Sequence, residues 1–304
     1  MIDIVIFGYG YYGTILAKRI KDDQKYNLIG FADNSEYKQG NYAYGHKIMS
    51  VQELSEMKNI SVIVASVQHY DEIIRECKRN GIKIEGVFLD NRIKKYPWVT
   101  FDNLDLRKDI TLYAGDINDS VHLNDENVFG LSITQNDDKH IAHDVTKPYP
   151  LPDSCIASFE SECVFELIGE ENVVPALNEV YRILRPGGKI RLSVPDYYSP
   201  FLRKRAMTDV NGKILYDAGE TYAIKYGENG LEGGSIWYTN YDALQEKIAK
   251  TQFRQIDWLC YHSADGVLHK KEIDMSKGYV HRVFNDSDKD VYCIVVDLYK
   301  GKYE

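Results

Sequence analysis

The sequence predicts an α/β fold made of two domains, each with a sheet of mostly parallel strands and helices between them. Three observations support this prediction. The chain has 304 residues, which is enough for two separate cores. Short apolar, β-branched segments alternate with segments of helical periodicity in both halves. A polar, weakly periodic stretch at residues 93–108 lies between the halves and places the domains at residues 1–97 and 98–304.

The overall composition limits the kinds of partner that we expect. The chain has 37 basic and 46 acidic residues and a net charge of −9. This balance argues against a nucleic-acid or membrane-surface partner, because both require a basic face. No apolar run is long enough to span a bilayer, so we expect a cytoplasmic location. The five cysteines are scattered and do not predict a metal site.

The first apolar strand, residues 2–7, is followed by a glycine-rich turn. Gly8, Gly10 and Gly13 form the pattern G-x-G-x-x-G, and a helical segment follows. Asp33 closes the next strand, where a carboxylate can accept hydrogen bonds from a ribose diol. This order is the dinucleotide-binding fingerprint of a Rossmann-like domain. It predicts binding of a nucleotide, a nucleotide-sugar or NAD(P). A Rossmann-like scaffold that has lost its ligand is the alternative.

The first domain resembles the N-terminal domains of bacterial sugar acyltransferases from surface-polysaccharide pathways. The resemblance covers about residues 1–93 and includes the glycine-rich turn, the segment GFADN at 30–34 and the segment YGHKI at 44–48. It implies a nucleotide or nucleotide-sugar ligand. Besides a nucleotide-binding domain and a scaffold without a ligand, the glycine-rich turn also allows an NAD-dependent oxidoreductase. The sequence, however, has no recognisable catalytic tyrosine–lysine or histidine pair.

The second domain contains a longer series of predicted strands. They lie at residues 110–115, 127–133, 140–145, 155–160, 189–194, 254–261 and 291–299. The last two are close enough to form a hairpin. Val174, Leu177 and Val180 repeat at helical spacing, and Pro186 and Gly187 end that helix before the fifth strand. The alternation predicts a doubly wound sheet of seven strands.

Three strings in this domain resemble class I S-adenosylmethionine-dependent methyltransferases found with bacterial polysaccharide genes. They are HDVTKPYPLPDS, SFESECVFELI and LNEVYRILRPGGKIRLSVPDYY, and the resemblance covers about residues 105–300. It implies a class I methyltransferase-like sheet, S-adenosylmethionine as the cofactor and a sugar or nucleotide-linked sugar as the acceptor. It also implies that Asp144, after the third strand, contacts the adenine amino group. A turn or helix-capping role is the alternative for Asp144.

The sequence departs from the methyltransferase pattern in the first two strands. The turn after the first strand has one glycine, Gly115, and the second strand ends without a carboxylate. About ten residues separate the two strands, which leaves little room for a helix. Asp116 and Thr134 are the candidates to replace the missing cofactor contacts. A degenerate fold that binds a nucleotide-sugar without catalysis is the alternative.

The candidate catalytic residues are carboxylates at the ends of strands. Glu160 and Glu162 end the fourth strand and share one face, because side chains alternate along a strand. Two close carboxylates would make one of them a better base. Asp196 closes the fifth strand, at the edge where open α/β sheets bind ligands.

The candidate substrate residues lie on the loops after the later strands. Tyr197 and Trp237 provide aromatic surfaces suited to a sugar ring, and Arg282 can bind a phosphate or carboxylate with two hydrogen bonds. The expected partner is therefore a small-molecule sugar or nucleotide-sugar. The sequence is compatible with a homo-oligomer and does not determine the oligomeric state.

Overall fold

The chain forms two compact units. The computed structural model describes residues 1–21, 23–217, 225–227, 230–232, 237–281 and 291–301. The first unit comprises Met1–Val99 together with Asn136–Lys139, and the second comprises Thr100–Gln135 and His140–Glu304. None of the helices in these described ranges is long and apolar enough to cross a membrane.

The first unit is built around one mixed sheet. Its elements are β1 (Ile2–Phe7), α1 (Tyr11–Ile20), β2 (Tyr26–Ala32), β3 (Tyr42–Ala43), β4 (His46–Met49), α2 (Val51–Glu56), β5 (Ser61–Val64), α3 (Tyr70–Arg79), β6 (Ile84–Leu89) and β7 (Arg92–Lys95). The strand order is β3-β4-β2-β1-β5-β6-β7. The five inner strands are parallel, and β3 and β7 pair antiparallel at the two edges. Apolar clusters cover both faces of this sheet.

A short segment from later in the chain completes the first unit. Lys94 is only 5% exposed, and its ammonium lies 2.8 Å from an Asp137 carboxylate oxygen. Arg92 pairs with Asp138 at 2.9 Å. Because a buried charge is costly without a partner, these ion pairs hold Asn136–Lys139 against the first unit. The sequence does not indicate this insertion.

The second unit is built around an eight-stranded sheet. Its elements are β8 (Thr111–Ala114), α4 (Ser120–Asn124), β9 (Val128–Ser132), β10 (His140–Ala142), β11 (Ile156–Glu162), α5 (Val173–Ile183), β12 (Leu184–Pro195), α6 (Pro200–Arg205), β13 (Met207–Thr208), β14 (Ile214–Tyr216), β15 (Lys225–Gly227), β16 (Gly230–Glu232), α7 (Tyr241–Ala249), β17 (Gln255–His262), β18 (Leu268–Lys270) and β19 (Cys293–Tyr299). The strand order is β10-β9-β8-β11-β12-β19-β17-β18.

The direction of the strands in this sheet follows a doubly wound plan. The strands β10, β9, β8, β11 and β12 are parallel. The strand β19 pairs antiparallel with both β12 and β17, so β17 runs parallel to the first five. When only the strands of this sheet are numbered along the chain, beginning with β8 and leaving out β18, the strand order is 3-2-1-4-5-7-6. This is the seven-stranded, class I methyltransferase-like sheet that the sequence predicts, and β18 extends it by one short antiparallel strand.

The helix α5 and the turn after it form as local sequence patterns predict. Leu177 and Val180 of α5 are fully buried. The helix ends at Ile183, shortly before Pro186. A side chain on Gly188 would come within 2.8 Å of the Ala157 carbonyl oxygen, so this turn requires a glycine to lie against the sheet.

A buried ion pair joins the middle of β12 to β19. The Arg191 guanidinium donates to both carboxylate oxygens of Asp297, at 2.7 and 2.8 Å, and the Lys189 ammonium donates to the same carboxylate at 2.6 Å. Arg191 also donates to the carbonyl oxygens of Asp274 and Gly278. The pair therefore fixes the segment that precedes Tyr279 against the sheet.

Candidate functional site

The strand order defines where each sheet can bind a ligand. In the second unit the chain passes from β8 to β9 on one side, while β11 pairs with β8 on the other. A crevice forms outside the carboxyl ends of strands at such a reversal. The edge where β8, β11 and β12 end is called the carboxyl edge below. In the first unit the corresponding reversal lies between β1 and β5.

A histidine between two carboxylates lies at the carboxyl edge. His122 Nδ1 is 2.6 Å from Asp119 Oδ2, and His122 Nε2 is 2.8 Å from Glu160 Oε2. The imidazole is 3% exposed and contacts the rings of Tyr113 and Tyr279. Burial opposes its positive charge, but the hydrogen bonds to Glu160 and Asp119 outweigh burial and raise the pKa of His122. A protonated imidazole can donate to both carboxylates at once.

The two glutamates of β11 face the same short segment of chain. The backbone N–H of Tyr279 donates to Glu160 Oε2 at 3.2 Å, and that of His281 donates to Glu162 Oε2 at 3.1 Å. The alternating pattern places both carboxylates on one face of β11. Gly278 has a φ of +133° and lies against Glu160, where a side chain would be strained.

A second polar cluster joins the ends of β8 and β9. The Ser132 hydroxyl donates to Asp116 Oδ1, and the Thr134 hydroxyl donates to Asp116 Oδ2 at 3.2 Å. Asp116 is half-buried and Thr134 is exposed. The structure therefore brings together the two residues that the sequence suggested as replacements for the missing cofactor contacts, with Ser132 as their link.

The turn between β8 and α4 packs closely onto the sheet. The Ile117 backbone N–H donates to Nε2 of His140 at 2.8 Å, and His140 is 1% exposed. Gly115 has a φ of +108°. A side chain on Gly130 would lie 2.9 Å from the Gly115 carbonyl oxygen and 2.6 Å from the His140 ring. Gly130 thus provides the space for this turn, and the Ile117 amide is already used within the protein.

Asp144 has a local structural role. Its Oδ1 accepts hydrogen bonds from the backbone N–H of Thr146 at 2.9 Å and from the Thr146 hydroxyl at 2.8 Å. The strand β10 ends at Ala142, two residues earlier. This geometry corresponds to the turn role that the sequence leaves open, and the adenine contact stays a prediction.

Asp196 is enclosed by the protein, contrary to its predicted catalytic position. It is completely buried. Its Oδ2 accepts from the backbone N–H and the ring Nδ1 of His262, at 2.6 and 2.9 Å, and its Oδ1 accepts from the Tyr198 backbone N–H at 3.0 Å. A carboxylate held in this way cannot reach an acceptor, so Asp196 instead joins β12 to β17.

Two of the predicted substrate residues line one cleft, with a volume of about 800 Å³. Tyr197 is 2% exposed and its hydroxyl donates to Asp217 at 2.8 Å. Trp237 is 7% exposed and its ring N–H donates to the Phe165 carbonyl oxygen at 2.9 Å. The other polar and aromatic side chains that line this cleft are Glu170, Tyr198, Arg203, Thr208, Lys213, Tyr238 and Asn240. Arg282, the third predicted substrate residue, lies outside the described residues.

The glycine-rich turn of the first unit lines another cleft, of about 520 Å³, together with Asp33. Asp33 is 8% exposed and accepts from the Tyr9 backbone N–H at 2.8 Å. The Lys38 ammonium also donates to it at 2.8 Å. Asp33 thus holds the turn in place and carries a cation at the mouth of the cleft.

The three glycines of this turn have different structural requirements. Side chains on Gly8 and Gly13 would lie 2.9 Å from the Ala65 carbonyl oxygen and 2.2 Å from the Gly8 carbonyl oxygen, so the fold itself needs both. A side chain on Gly10 would meet no atom within 4 Å among the described residues. Gly10 leaves room for a ligand to approach the backbone, and this turn does not need it for packing.

Sequence patterns miss Asp119 and His122 as site residues. Asp119 caps α4, accepting from the His122 backbone N–H at 2.8 Å, and capping aspartates are common. The available signal is an aspartate three residues before a histidine in the turn after the first strand. The contact between His122 and Glu160 joins residues 38 positions apart in the sequence. Only the folded structure reveals it. Among the described residues, no group of histidine, cysteine, aspartate or glutamate side chains is arranged to hold a metal ion.

Comparisons with known proteins give distant relationships. Residues 1–88 match a protein family described as C2185-like, N-terminal. This match lies within the first unit and does not assign the whole chain to a family. Among curated proteins, none is similar enough in sequence to count as a match.

Several solved structures are distantly similar to this chain. A SAM-dependent methyltransferase from Thermotoga maritima is 15% identical over 57% of this chain and 65% of its own, with a TM-score of 0.31. One from Archaeoglobus fulgidus is 12% identical over 63% and 86%, with a TM-score of 0.38. A Rex-family repressor is 18% identical over 30% and 47%, with a TM-score of 0.24. The chain thus spans less than two thirds of the length of the Thermotoga maritima methyltransferase and of the Rex-family repressor. Because all three scores are low, the functional proposal rests on the strand order and the site geometry of this chain.

Proposed function

We propose that the second unit is an S-adenosylmethionine-dependent methyltransferase that acts on a sugar or a nucleotide-linked sugar. The observation that carries this proposal is the strand order 3-2-1-4-5-7-6, with its antiparallel seventh strand. This order places acidic groups at the carboxyl edge, on both sides of the reversal between β8 and β11.

The residues at this edge fit two parts of the cofactor. The Asp116 carboxylate, held by Ser132 and Thr134, would accept hydrogen bonds from the ribose hydroxyls. Glu160 and Glu162 would balance the positive charge of the sulfonium. When bound, S-adenosylmethionine would supply the methyl group.

Glu160 is the proposed base for the acceptor. Methylation of a hydroxyl or amine releases a proton, and a positioned carboxylate can take it. The hydrogen bond from His122 holds Glu160 in one orientation, and Asp119 in turn holds His122. Asp119 and His122 are therefore positioning residues. The nearby Glu162 adds negative charge and accepts a hydrogen bond from the His281 backbone N–H.

The acceptor would bind in the aromatic cleft. Tyr197 lies in the loop after β12, and Trp237 contacts the loop after β11, so the cleft opens near the carboxyl edge. Aromatic faces pack well against sugar rings, and Arg203 supplies donors for hydroxyl or phosphate groups. These features, with the resemblance to methyltransferases found with polysaccharide genes, support a role in surface-polysaccharide synthesis.

The first unit would bind a nucleotide or nucleotide-sugar, with NAD(P) as the alternative ligand. Gly10 leaves the backbone open at the N-terminus of α1, where unpaired N–H groups attract phosphate. We expect Gly10→Ala to fold with an unchanged melting temperature and to lose about tenfold in affinity for UDP-glucose, measured by calorimetry. An equal affinity in both proteins would remove the glycine-rich turn as the binding site.

Calorimetry with S-adenosylmethionine and S-adenosylhomocysteine tests the main proposal. We expect binding by the wild type, and a loss of about tenfold in Asp116→Asn through the weaker ribose contact. Glu160→Gln should retain binding of S-adenosylhomocysteine, whose sulfur carries no charge, but form little methylated product, measured by mass spectrometry with candidate sugars. Asp102→Asn, at an exposed position of the same unit, serves as the matched control. Absence of both heat and thermal shift at millimolar ligand would exclude the enzyme proposal.

A specific observation favours a second candidate, a non-catalytic nucleotide-sugar-binding protein with a degenerate methyltransferase fold. The Ile117 amide, in the turn that usually approaches the cofactor, is bonded to His140, and Glu160 is bonded to both Tyr279 and His122. This candidate predicts a stable nucleotide-sugar complex whose affinity is the same in Glu160→Gln. It also predicts no methylated product.

A further inference from the structure

A third cleft opens at the edge opposite the proposed methyl-transfer site. Its walls come from residues just before β11, β12 and β17 and just after β19, which together form the amino edge of the sheet. Its volume is about 790 Å³. No residue proposed above for cofactor or acceptor binding lies in this cleft.

Lys300 is the main charged group of this cleft. Its backbone is fixed by hydrogen bonds with Gly187 and Gly188, and the residue is 7% exposed. The ammonium donates to the Ser154 hydroxyl at 3.1 Å and to the Arg182 carbonyl oxygen at 3.3 Å. Both acceptors are neutral. Within the described part of the chain, no carboxylate lies at ion-pairing distance from this ammonium.

Among the described residues, this arrangement leaves the buried ammonium of Lys300 without a counterion. Burial of a lysine ammonium is normally accompanied by a carboxylate partner, because desolvation is costly. Burial lowers the pKa of Lys300, and the opposing effect of Asp153 does not restore it. Asp153 and Glu179, the carboxylates of the cleft, both pair with Arg182, at 2.8 and 2.7 Å.

Two further donors face the same cleft. Arg254 is exposed, and its guanidinium donates to the carbonyl oxygens of Thr251 and Phe253. The Asn178 side-chain oxygen accepts from the Gln252 backbone N–H at 2.8 Å, which leaves its NH₂ group as the donor. Lysine, arginine and amide side chains are among the groups that bind phosphate in proteins.

We infer that this amino-edge cleft, with Lys300, Arg254 and Asn178 as its donors, binds the phosphate group of a small molecule. The excess of cations in the cleft contrasts with the net charge of −9 of the whole chain. The phosphate supplies a counterion for Lys300, which has none in the described part of the chain. Inorganic phosphate and a sugar phosphate share this chemistry, and the experiment separates them.

Calorimetric titration of the full chain with inorganic phosphate and with glucose 1-phosphate, at constant ionic strength, tests the inference. We expect the wild type to bind at least one of them with a dissociation constant below about 10 mM. Tighter binding of glucose 1-phosphate identifies a sugar phosphate, and equal binding identifies free phosphate. Lys300→Gln should weaken binding about tenfold or more. Arg254→Gln, at an exposed position, should also weaken it.

Lys250→Gln is the matched control, because Lys250 is exposed, pairs with Glu246 and lies outside the cleft. It should bind as the wild type does. Two results would overturn the inference. One is no binding by the wild type at about 10 mM of either compound. The other is unchanged binding in both Lys300→Gln and Arg254→Gln, which would place the phosphate elsewhere, for example at the glycine-rich turn of the first unit.

Discussion

Replacing Asp297 by asparagine should destabilise the second unit strongly. The Asp297 side chain is 3% exposed and is the shared partner of Arg191 and Lys189, whose side chains are 2% and 12% exposed. The substitution preserves size but leaves two cations near one another without a counterion. Removing one partner of a buried ion pair costs about 3–5 kcal/mol. For a unit of this size the melting temperature should fall on the order of 10 °C.

Thermal and urea unfolding, monitored separately for the two units, measure this effect. The matched control is Asp257→Asn, which lies opposite Asp297 on β17 and pairs with the exposed Lys271 at 2.6 Å. An exposed pair of this kind contributes about 0–1 kcal/mol. The double variant Arg191→Met with Asp297→Leu replaces the buried pair by apolar residues. Its free energy of unfolding should be at least about 2 kcal/mol higher than the sum of the two single-variant losses predicts. If Asp297→Asn costs no more than Asp257→Asn, the assigned role of the pair is wrong.

Three further predictions concern local features of the fold. Gly13→Ala should destabilise the first unit by about 1–3 kcal/mol or more in urea unfolding, because the new methyl group meets the Gly8 carbonyl oxygen, whereas Gly10→Ala should not. The raised pKa of His122 means that its stabilising charge is fully present below its unfolded value of 6.5 and is lost as pH rises through the folded value. The free energy of unfolding of the wild type should therefore be higher than that of His122→Gln, and this difference should be larger at pH 6 than at pH 9. The same difference at both pH values would contradict the prediction. Ser50→Ala removes the capping box of α2 and should cost about 1 kcal/mol by thermal melting; a cost near zero would contradict the cap.

Local patterns in the sequence predict the strands and their order of appearance well. The apolar run at residues 2–7 gives β1 with its observed limits, and the seven predicted strands of the second domain all occur. The glycine-rich turn and Asp33 lie together in one cleft because their spacing follows from a strand, a turn and a helix. These features depend on neighbours within about 20 residues.

The contacts of individual side chains are harder to predict, since they depend on distant parts of the chain. Asp196 ends a strand as expected, but His262, 66 positions later, buries it. His122 becomes part of the site only because β8 and β11 are adjacent in the sheet. Sequence periodicity gives the face on which Glu160 points, yet it does not identify the group that meets it there.

The inserted segment Asn136–Lys139 also affects how the first unit can form during synthesis. Residues 1–99 contain all the strands of its sheet and one partner of Lys94, the exposed Asp90, but the buried partner Asp137 and the counterions of Arg92 are 43 to 46 positions further along. A nascent chain that has reached Val99 therefore has a nearly complete sheet with the buried Lys94 ammonium still lacking Asp137. The first unit reaches its full stability only after residue 139 has left the ribosome, when the first two strands of the next unit have already been made.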